Sequence, residues 1–322
     1  MLKYFVKRFL AIIPKILVIS MLIFLGMQLI PVDPLTISMD PEQLDGLSEA
    51  QMEELREAKG LNDPIPVQYV RWLGNLLQGE FGYSLQTGAS IKSLILNRLP
   101  ATFELAIFGV VIGSVLAIIL GSFSAIFKNT PIDYTNTVLG LIGNSVPSFF
   151  FGMGFIMIFG INLKWLPTGG RMTVGKEAFL DRIEYMVLPV ICMSISLIPY
   201  LMRLTRNCML DVMNKDYVKT ARAKGLSEPK IFVKHVFRNG CTPVVLCLLG
   251  RLGLLVSGSM VIETVFNYPG MGMLMVSSIT ANDMSTAMIC LFFSSVIVLV
   301  TTFLGDIATA LLDPRVRFGK EG

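Results

Sequence analysis

Charge is scarce in this sequence. Charged residues make up 16% of the 322, against about 25% in an ordinary soluble domain. Histidine occurs once, which argues against a histidine-based metal site within the chain. The five cysteines, Cys192, Cys208, Cys241, Cys247 and Cys290, form no CxxC pair, so no redox motif is spelled out. Lone cysteines among apolar neighbours behave as small buried hydrophobes. A nucleotide site is also missing. The run Gly170-Arg-Met-Thr-Val-Gly175-Lys176-Glu177 fits most of a phosphate-loop pattern, but Glu177 stands where magnesium needs a Ser or Thr. No buried strand precedes it. What the chain has instead is apolar surface, at 53% hydrophobic residues and a mean hydropathy of +0.66. With so few charges, that surface must face something other than water.

A helix needs about 20 mostly apolar residues to cross the hydrocarbon of a bilayer. Six segments qualify, at 9–30, 102–127, 136–160, 186–208, 240–265 and 285–312. The runs are continuous rather than alternating, which selects helices over a membrane barrel. The N-terminus opens like a signal peptide, but its apolar run has spanning length and no small-x-small cleavage site follows closely, so a retained first helix is expected. The segment 203–238 carries Arg203, Arg206, Lys215, Lys219, Arg222, Lys224, Lys230, Lys234 and Arg238. Lys3, Lys7, Arg8, Lys128, Arg315, Arg317 and Lys320 fall on the same side of a six-span topology, and the positive-inside rule then puts both termini in the cytoplasm. The expected organisation is a first helix in 1–30, an extracytoplasmic segment 31–101, a membrane core 102–312 containing a cytoplasmic loop 209–238, and a tail 313–322.

The segment 31–101 reads as ordered. Ser48-Glu49-Ala50-Gln51 spells a capping box, and Gly60 stands at a helix stop. Asp63-Pro64-Ile65-Pro66 breaks the chain, and 67–77 reads as a further helix with Tyr69 and Trp72 near one face. Two compatible readings stand: a cap over the helix ends, or a docking surface for an external partner.

The loop 209–238 alternates apolar and basic residues at helical spacing. It predicts two short helices at the membrane surface. Asp216 is expected to cap the first through Ala223, Gly225 to end it, and Ser227 to cap the second, with Pro229 in its first turn. Such an element is a mechanical coupler, with Tyr217 and Leu226 as apolar anchors and Arg222 and Lys224 as directional charge. On charge alone a basic loop on lipid headgroups fits too.

The run Tyr217-Val-Lys-Thr-Ala-Arg-Ala-Lys-Gly225, followed by Ile231 and His235-Val-Phe-Arg-Asn239, resembles the EAA-type coupling loop of ABC-importer permeases. In detail the chain is similar to the dipeptide/oligopeptide/nickel permease family and to its first, B-type subunit. Gly60-Leu-Asn-Asp-Pro-Ile-Pro, Gly79-Glu-Phe-Gly-Tyr-Ser84, Arg98-Leu-Pro-Ala-Thr-Phe-Glu104, Ser145-Val-Pro147-Ser-Phe149, Glu263-Thr-Val-Phe266-Asn-Tyr-Pro-Gly270-Met-Gly272 and Leu311-Leu-Asp-Pro-Arg-Val-Arg317 resemble other segments of that family, in order. The resemblance implies an all-α membrane protein of type I importer architecture, in the cell membrane of a prokaryote. It implies a pore half that imports di- or oligopeptides, pairs with a homologous second permease, and couples to two ATPase subunits carrying ATP and magnesium. A solute-binding protein would deliver cargo. No enzyme activity, resident cofactor or nucleic-acid partner is expected of this chain. Asp216, Tyr217, Thr220, Ala221, Arg222, Ala223, Lys224, Gly225 and Leu226 would form the coupling site. Thr220 replaces the first Glu of the family's triplet, and Arg251 lies in a span where the family leads one to expect an uncharged residue. Nickel chelates, glutathione, opines or sugars are alternative cargoes, and a secondary transporter or channel is the alternative of another class.

Ionisable residues inside spans are expensive and face a bundle interior or water. Lys15, Glu104, Arg251, Glu263 and Asp306 are such residues. Lys15 is close enough to the inner end to snorkel, and Arg251 is expected to pair with an acid or a carbonyl. Asn144, Ser145 and Pro147 interrupt the third span, where the freed backbone needs protein or water beside it. Together with Arg251 and Glu263 they are the candidates for the translocation path. Packing kinks and ion pairs between subunits explain the same residues. Gly109 and Gly113 fit close helix packing.

Overall fold

The computed structural model describes residues 2–30, 33–39, 43, 46–173, 175, 179–257 and 259–312. The tail 313–322 and most of the phosphate-loop-like run beyond Thr173 lie outside the described residues. The chain is built of helices. Helices α1 (Leu2–Leu10) and α2 (Ile12–Gln28) give one apolar stretch, Phe5–Gln28, long enough to span. Short helices follow, among them α3 (Pro34–Ser38), α4 (Glu49–Lys59) and α5 (Ile65–Gln78). The next long helix, α6, runs from Ile91 to Ile126. It starts well before the expected 102, because Ile91 and Ile95 are fully buried and extend the helix by packing before the continuous apolar run begins. Pro100 is accommodated inside it.

The third span departs from a straight helix. Helices α7 (Pro131–Ser145) and α8 (Ser148–Phe155, continued by a π-helical turn to Asn162) are bent by 98°. The break is local chemistry. Pro147 disfavours the helical conformation in Val146, which takes ψ 125°. Helix α9 (Phe179–Met213) contains Pro189 and Pro199 without ending. The loop 209–238 forms α10 (Asp216–Ala223) and α11 (Glu228–Ile231), and a π-helical turn, Phe232–Phe237, leads into α12 (Arg238–Ser257). Helices α13 (Ser259–Val265), α14 (Met271–Thr280) and α15 (Met284–Leu312) complete the described residues. The expected fifth span, 240–265, is helical on both sides of Gly258, which lies outside the described residues, and an apolar stretch of spanning length reaches back to Glu228.

The chain forms two compact units. One comprises 1–102 and 269–299, the other 103–268 and 300–322. In the first, Ile23 of α2, Leu76 of α5, Ile91 and Ile95 of α6, Met271 and Leu274 of α14, and Ile289 and Phe292 of α15 share one core. The capping box forms as spelled, with reciprocal Ser48 and Gln51 bonds, and Gly60 ends α4 at φ +67°. Ser84 Oγ donates to Asp283 Oδ2 at 2.5 Å, and Asp283 caps α15 by accepting from the Thr286 amide.

In the second unit, glycines let helices meet. A Cβ on Gly109 would stand 2.9 Å from Met193 Cβ, and one on Gly113 would stand 3.1 Å from Ser194 Cα. Both belong to the contact of α6 with α9, as the spacing of these glycines suggests. A second core sets Leu188 and Cys192 of α9 against Ile262 and Phe266.

Candidate functional site

Helix α10 is eight residues long, too short to hold itself in water. It is held by a buried cluster in which Val218 and Ala221 pack with Ala125 of α6, Met209 of α9, Ile231 of α11 and Val236. Val218 and Ala221 lie three apart and point inward. Asp216, Tyr217, Lys219, Thr220, Arg222, Ala223, Lys224 and Gly225 are exposed. The loop thus has a keyed face and a presented face.

The ends of α10 are fixed by backbone geometry. Asp216 is not the cap. Lys215 holds that position without a side-chain bond, and Asp216 occupies the first helical turn, where its carboxylate accepts from Lys219 Nζ at 2.9 Å. The Lys219 hydrogen bond holds the Asp216 carboxyl below the usual carboxylate range. At the other end Gly225 takes φ +76°. The Leu226 amide donates to the Ala221 carbonyl and the Gly225 amide to the Arg222 carbonyl. This pair of bonds is a Schellman motif, which is completed by an apolar residue at the position of Leu226. Leu226 accordingly packs on this chain's own cluster rather than standing out as an anchor. Arg222 is also engaged, donating from Nε and Nη2 to both Glu228 carboxylate oxygens at 2.7 and 3.1 Å. Glu228 is a residue that sequence reading missed, and the signal for it was weak because the pair bridges a turn. Ser227 precedes α11 without a side-chain capping bond, and Pro229 lies in the first turn.

A second polar feature ties α7 to α9. Arg206 donates through Nε and Nη2 to the two oxygens of Asp133, both at 2.7 Å. The Asn129 amide donates to the same carboxylate at 3.0 Å. Asp133 is buried. Charge counting assigned Arg206 to the basic side and did not find its partner.

A third cluster surrounds Glu104. Arg171 donates to its two oxygens at 2.9 and 2.6 Å, Arg182 at 3.4 Å and the Tyr268 hydroxyl at 3.1 Å. The Glu104 hydrogen bond raises the Arg171 pKa. A glycine fits beside this cluster for a steric reason. A Cβ on Gly169 would fall 2.4 Å from the Phe266 carbonyl oxygen.

The translocation candidates do not share one environment. Asn144, Ser145 and Pro147 are exposed at the bend between α7 and α8, and Arg251 is exposed on α12. The Arg251 guanidinium lies 3.8 Å above the Tyr200 ring. That cation–π contact replaces the expected pairing with an acid or carbonyl. Glu263 is fully buried and accepts from Ser259 Oγ at 2.8 Å. Among the described residues, no group of three His, Cys, Asp or Glu side chains could hold a metal ion.

This architecture has counterparts. The chain is 39% identical to the oligopeptide transport system permease protein AppB of Bacillus subtilis, over 99% of this chain and 100% of the relative. It is 35% identical to the dipeptide transport system permease protein DppB of the same organism, over the full length of both. It is 33% identical to the glutathione transport system permease protein GsiC of Salmonella paratyphi A, over 99% of this chain and 100% of the relative. A solved structure of the MetNI methionine ABC transporter in an inward-facing conformation has the same fold, with a TM-score of 0.57 at 15% identity, covering 68% of this chain and 96% of that one. The model of the N-terminal part of binding-protein-dependent transport system membrane components matches residues 1–106. Since residues 109–318 match the binding-protein-dependent transport system inner membrane component, the chain belongs to that family, the multi-pass permeases of ABC importers.

Proposed function

We propose that this permease supplies half of a pore for di- or oligopeptides and takes its power stroke through α10. The observation that carries the proposal is the division of α10, with Val218 and Ala221 buried in the chain and the 216–225 surface presented outward. In this reading two ATPase subunits bear ATP and magnesium. One of them seats α10 in a groove, and ATP-driven closure moves that helix. A homologous second permease forms the other half of the pore, and an extracytoplasmic binding protein delivers cargo. Both termini face the cytoplasm of a prokaryotic cell, as the basic residues of 203–238 suggest. The relatives named as oligopeptide and dipeptide permeases support peptide cargo. A relative named as a glutathione permease supports a second cargo of similar chemistry, itself a small peptide.

The test is purification from native membranes with identification of every co-purifying protein. Ala223 is exposed, so Ala223→Trp should leave the fold intact while blocking the seat. Loss of one well-packed contact there is worth about 2 kcal/mol, roughly thirtyfold in ATPase-subunit affinity. Transport should fall with it. A chain that purifies alone and transports in liposomes without ATP would sink the proposal and favour a secondary transporter.

A further inference from the structure

Helix α5 belongs to the segment that the topology assigns to water, yet its surface does not suit water. At about 100° per residue its side chains divide into three sectors. Tyr69, Trp72, Leu73 and Leu76 face the first unit's core, with Trp72, Leu73 and Leu76 in its main cluster. Tyr69 and Trp72 both meet Phe24 of α2 at ring-centroid distances of 5.6 Å. Gln68, Arg71, Asn75 and Gln78 form a polar strip. Val67, Val70, Gly74 and Leu77 form the third sector, where Val67 is 46%, Val70 68% and Leu77 81% exposed.

The depth of α5 is readable from its contacts. The Tyr69 hydroxyl bonds with Ser20 Oγ at 2.9 Å. Ser20 lies eight residues before Gln28, the end of the spanning stretch Phe5–Gln28. At 1.5 Å per residue that is about 12 Å in from the helix end, within a hydrocarbon layer about 30 Å thick. Trp72 likewise meets Phe292, at a ring-centroid distance of 6.4 Å. Phe292 lies eight residues into α15, at a similar distance from its end. The polar strip faces the other way. Gln68 accepts from Gln28 Nε2 at 2.9 Å, right at the end of α2. Gln68 also donates to the Leu61 and Asp63 carbonyls, and Arg71 donates to the Lys59 carbonyl at 2.6 Å. These groups belong to the polar end of α4 and the turn after it, and α4 buries no side chain.

We propose that α5 is an interfacial helix seated in the bilayer leaflet at the C-terminal end of α2. Val67, Val70 and Leu77 rest on acyl chains there, and the Gln68–Gln78 strip meets water. The occupant is lipid rather than a protein partner, because the exposed sector holds no aromatic, Met or Arg anchor of the kind that dominates protein interfaces. The aromatic residues of α5 are turned inward instead. Apolar on two sectors and polar on the third, the helix has the composition of one that lies in the plane of a membrane interface. Part of 31–101 therefore belongs to the membrane, and α5 fixes how deep the first unit sits.

The test is spin-label accessibility in the whole transporter reconstituted into liposomes, in a background with the five native cysteines replaced by alanine. Labels at Val70→Cys and Leu77→Cys are compared with Ala58→Cys on exposed α4, using oxygen and a water-soluble nickel chelate as collision reagents. The oxygen-to-nickel collision ratio should be several-fold higher at 70 and 77 than at 58. Nickel access at 70 and 77 equal to that at 58 would place the sector in water and overturn the proposal. Protection from both reagents would mean that protein covers it, and would overturn the proposal equally. Val67→Cys repeats the reading on the same sector if either variant fails to assemble.

Discussion

Asp133 is an acid whose loss should be costly to this protein. Its carboxylate is buried, gripped at both oxygens by Arg206 at 2.7 Å and capped by the Asn129 amide. Arg206 is 25% exposed, so the charge left behind is partly solvated and the cost is about 2 kcal/mol, below that of a fully buried pair. Asp133→Asn should therefore lower the melting temperature of the detergent-solubilised protein markedly. Arg206→Lys should not preserve stability, because an ammonium cannot reproduce the two-pronged geometry. Arg222→Ala breaks a pair of similar distances with Glu228, but both side chains are exposed, at 40% and 67%. Exposed pairs are worth at most about 1 kcal/mol, and the melt should barely move. Asp33 adds a pH dependence. Burial raises the Asp33 pKa, but the bonds from Arg56 and the Leu35 amide outweigh burial and hold it below the usual carboxylate value. A lowered pKa means that the carboxylate stabilises the fold at pH values above its unfolded pKa. That contribution fades as pH falls through the folded one. Limited proteolysis near α3 should accelerate on acidification through that range, and Asp33→Asn should show the fast cleavage already at neutral pH.

Helix contacts depend on which glycines are spent on them. A Cβ on Gly305 of α15 would fall 2.2 Å from the Leu249 carbonyl oxygen of α12, whereas one on Gly154 of α8 meets nothing within 4 Å. Gly305→Ala should destabilise by about 2 kcal/mol through overpacking. Gly154→Ala should be neutral or slightly stabilising through helix propensity, and paired thermal melts of the two variants separate these outcomes. The same contrast explains what the sequence made legible. Spans were readable because lipid forces continuous apolar helices, and Ser48, Gln51 and Gly60 were readable because caps are local chemistry. Ala223 and Gly225 could be placed at the end of a short helix for the same reason. The 98° bend after α7 was only half readable. Pro147 marked the place, but the angle depends on packing that one segment does not encode. The start of α6 at Ile91 was missed because long-range burial, not local hydropathy, extends that helix. Asp133, Glu228 and the arginines around Glu104 were missed as partners because their pairing is tertiary.

For the molecule as a whole, the proposed coupling gives one short helix two separate tasks, seating a partner and passing on its motion. In that proposal the exposed face of α10 seats the ATPase subunit and the buried face transmits, and the buried face is keyed to three parts of the second unit. Val218 and Ala221 share their cluster with the end of α6 at Ala125, with α9 at Met209, and with α11 and the turn after it at Ile231 and Val236. A rigid cluster moves these together, because packed interiors shift between discrete arrangements rather than deforming smoothly. Val218→Ala removes two methyl groups from that key and leaves the presented surface unchanged. The expected cost is about 2 kcal/mol of local packing, below what should release the ATPase subunits. Co-purification should therefore survive, and ATP hydrolysis should continue. Cargo moved per ATP hydrolysed should drop severalfold in proteoliposomes. Ala223→Trp should show the reverse order of failure, with the ATPase subunits lost first and hydrolysis and transport falling together. If Val218→Ala kept the full ratio of transport to hydrolysis, the buried face would be scaffolding alone, and the force would have to enter the membrane helices by another contact.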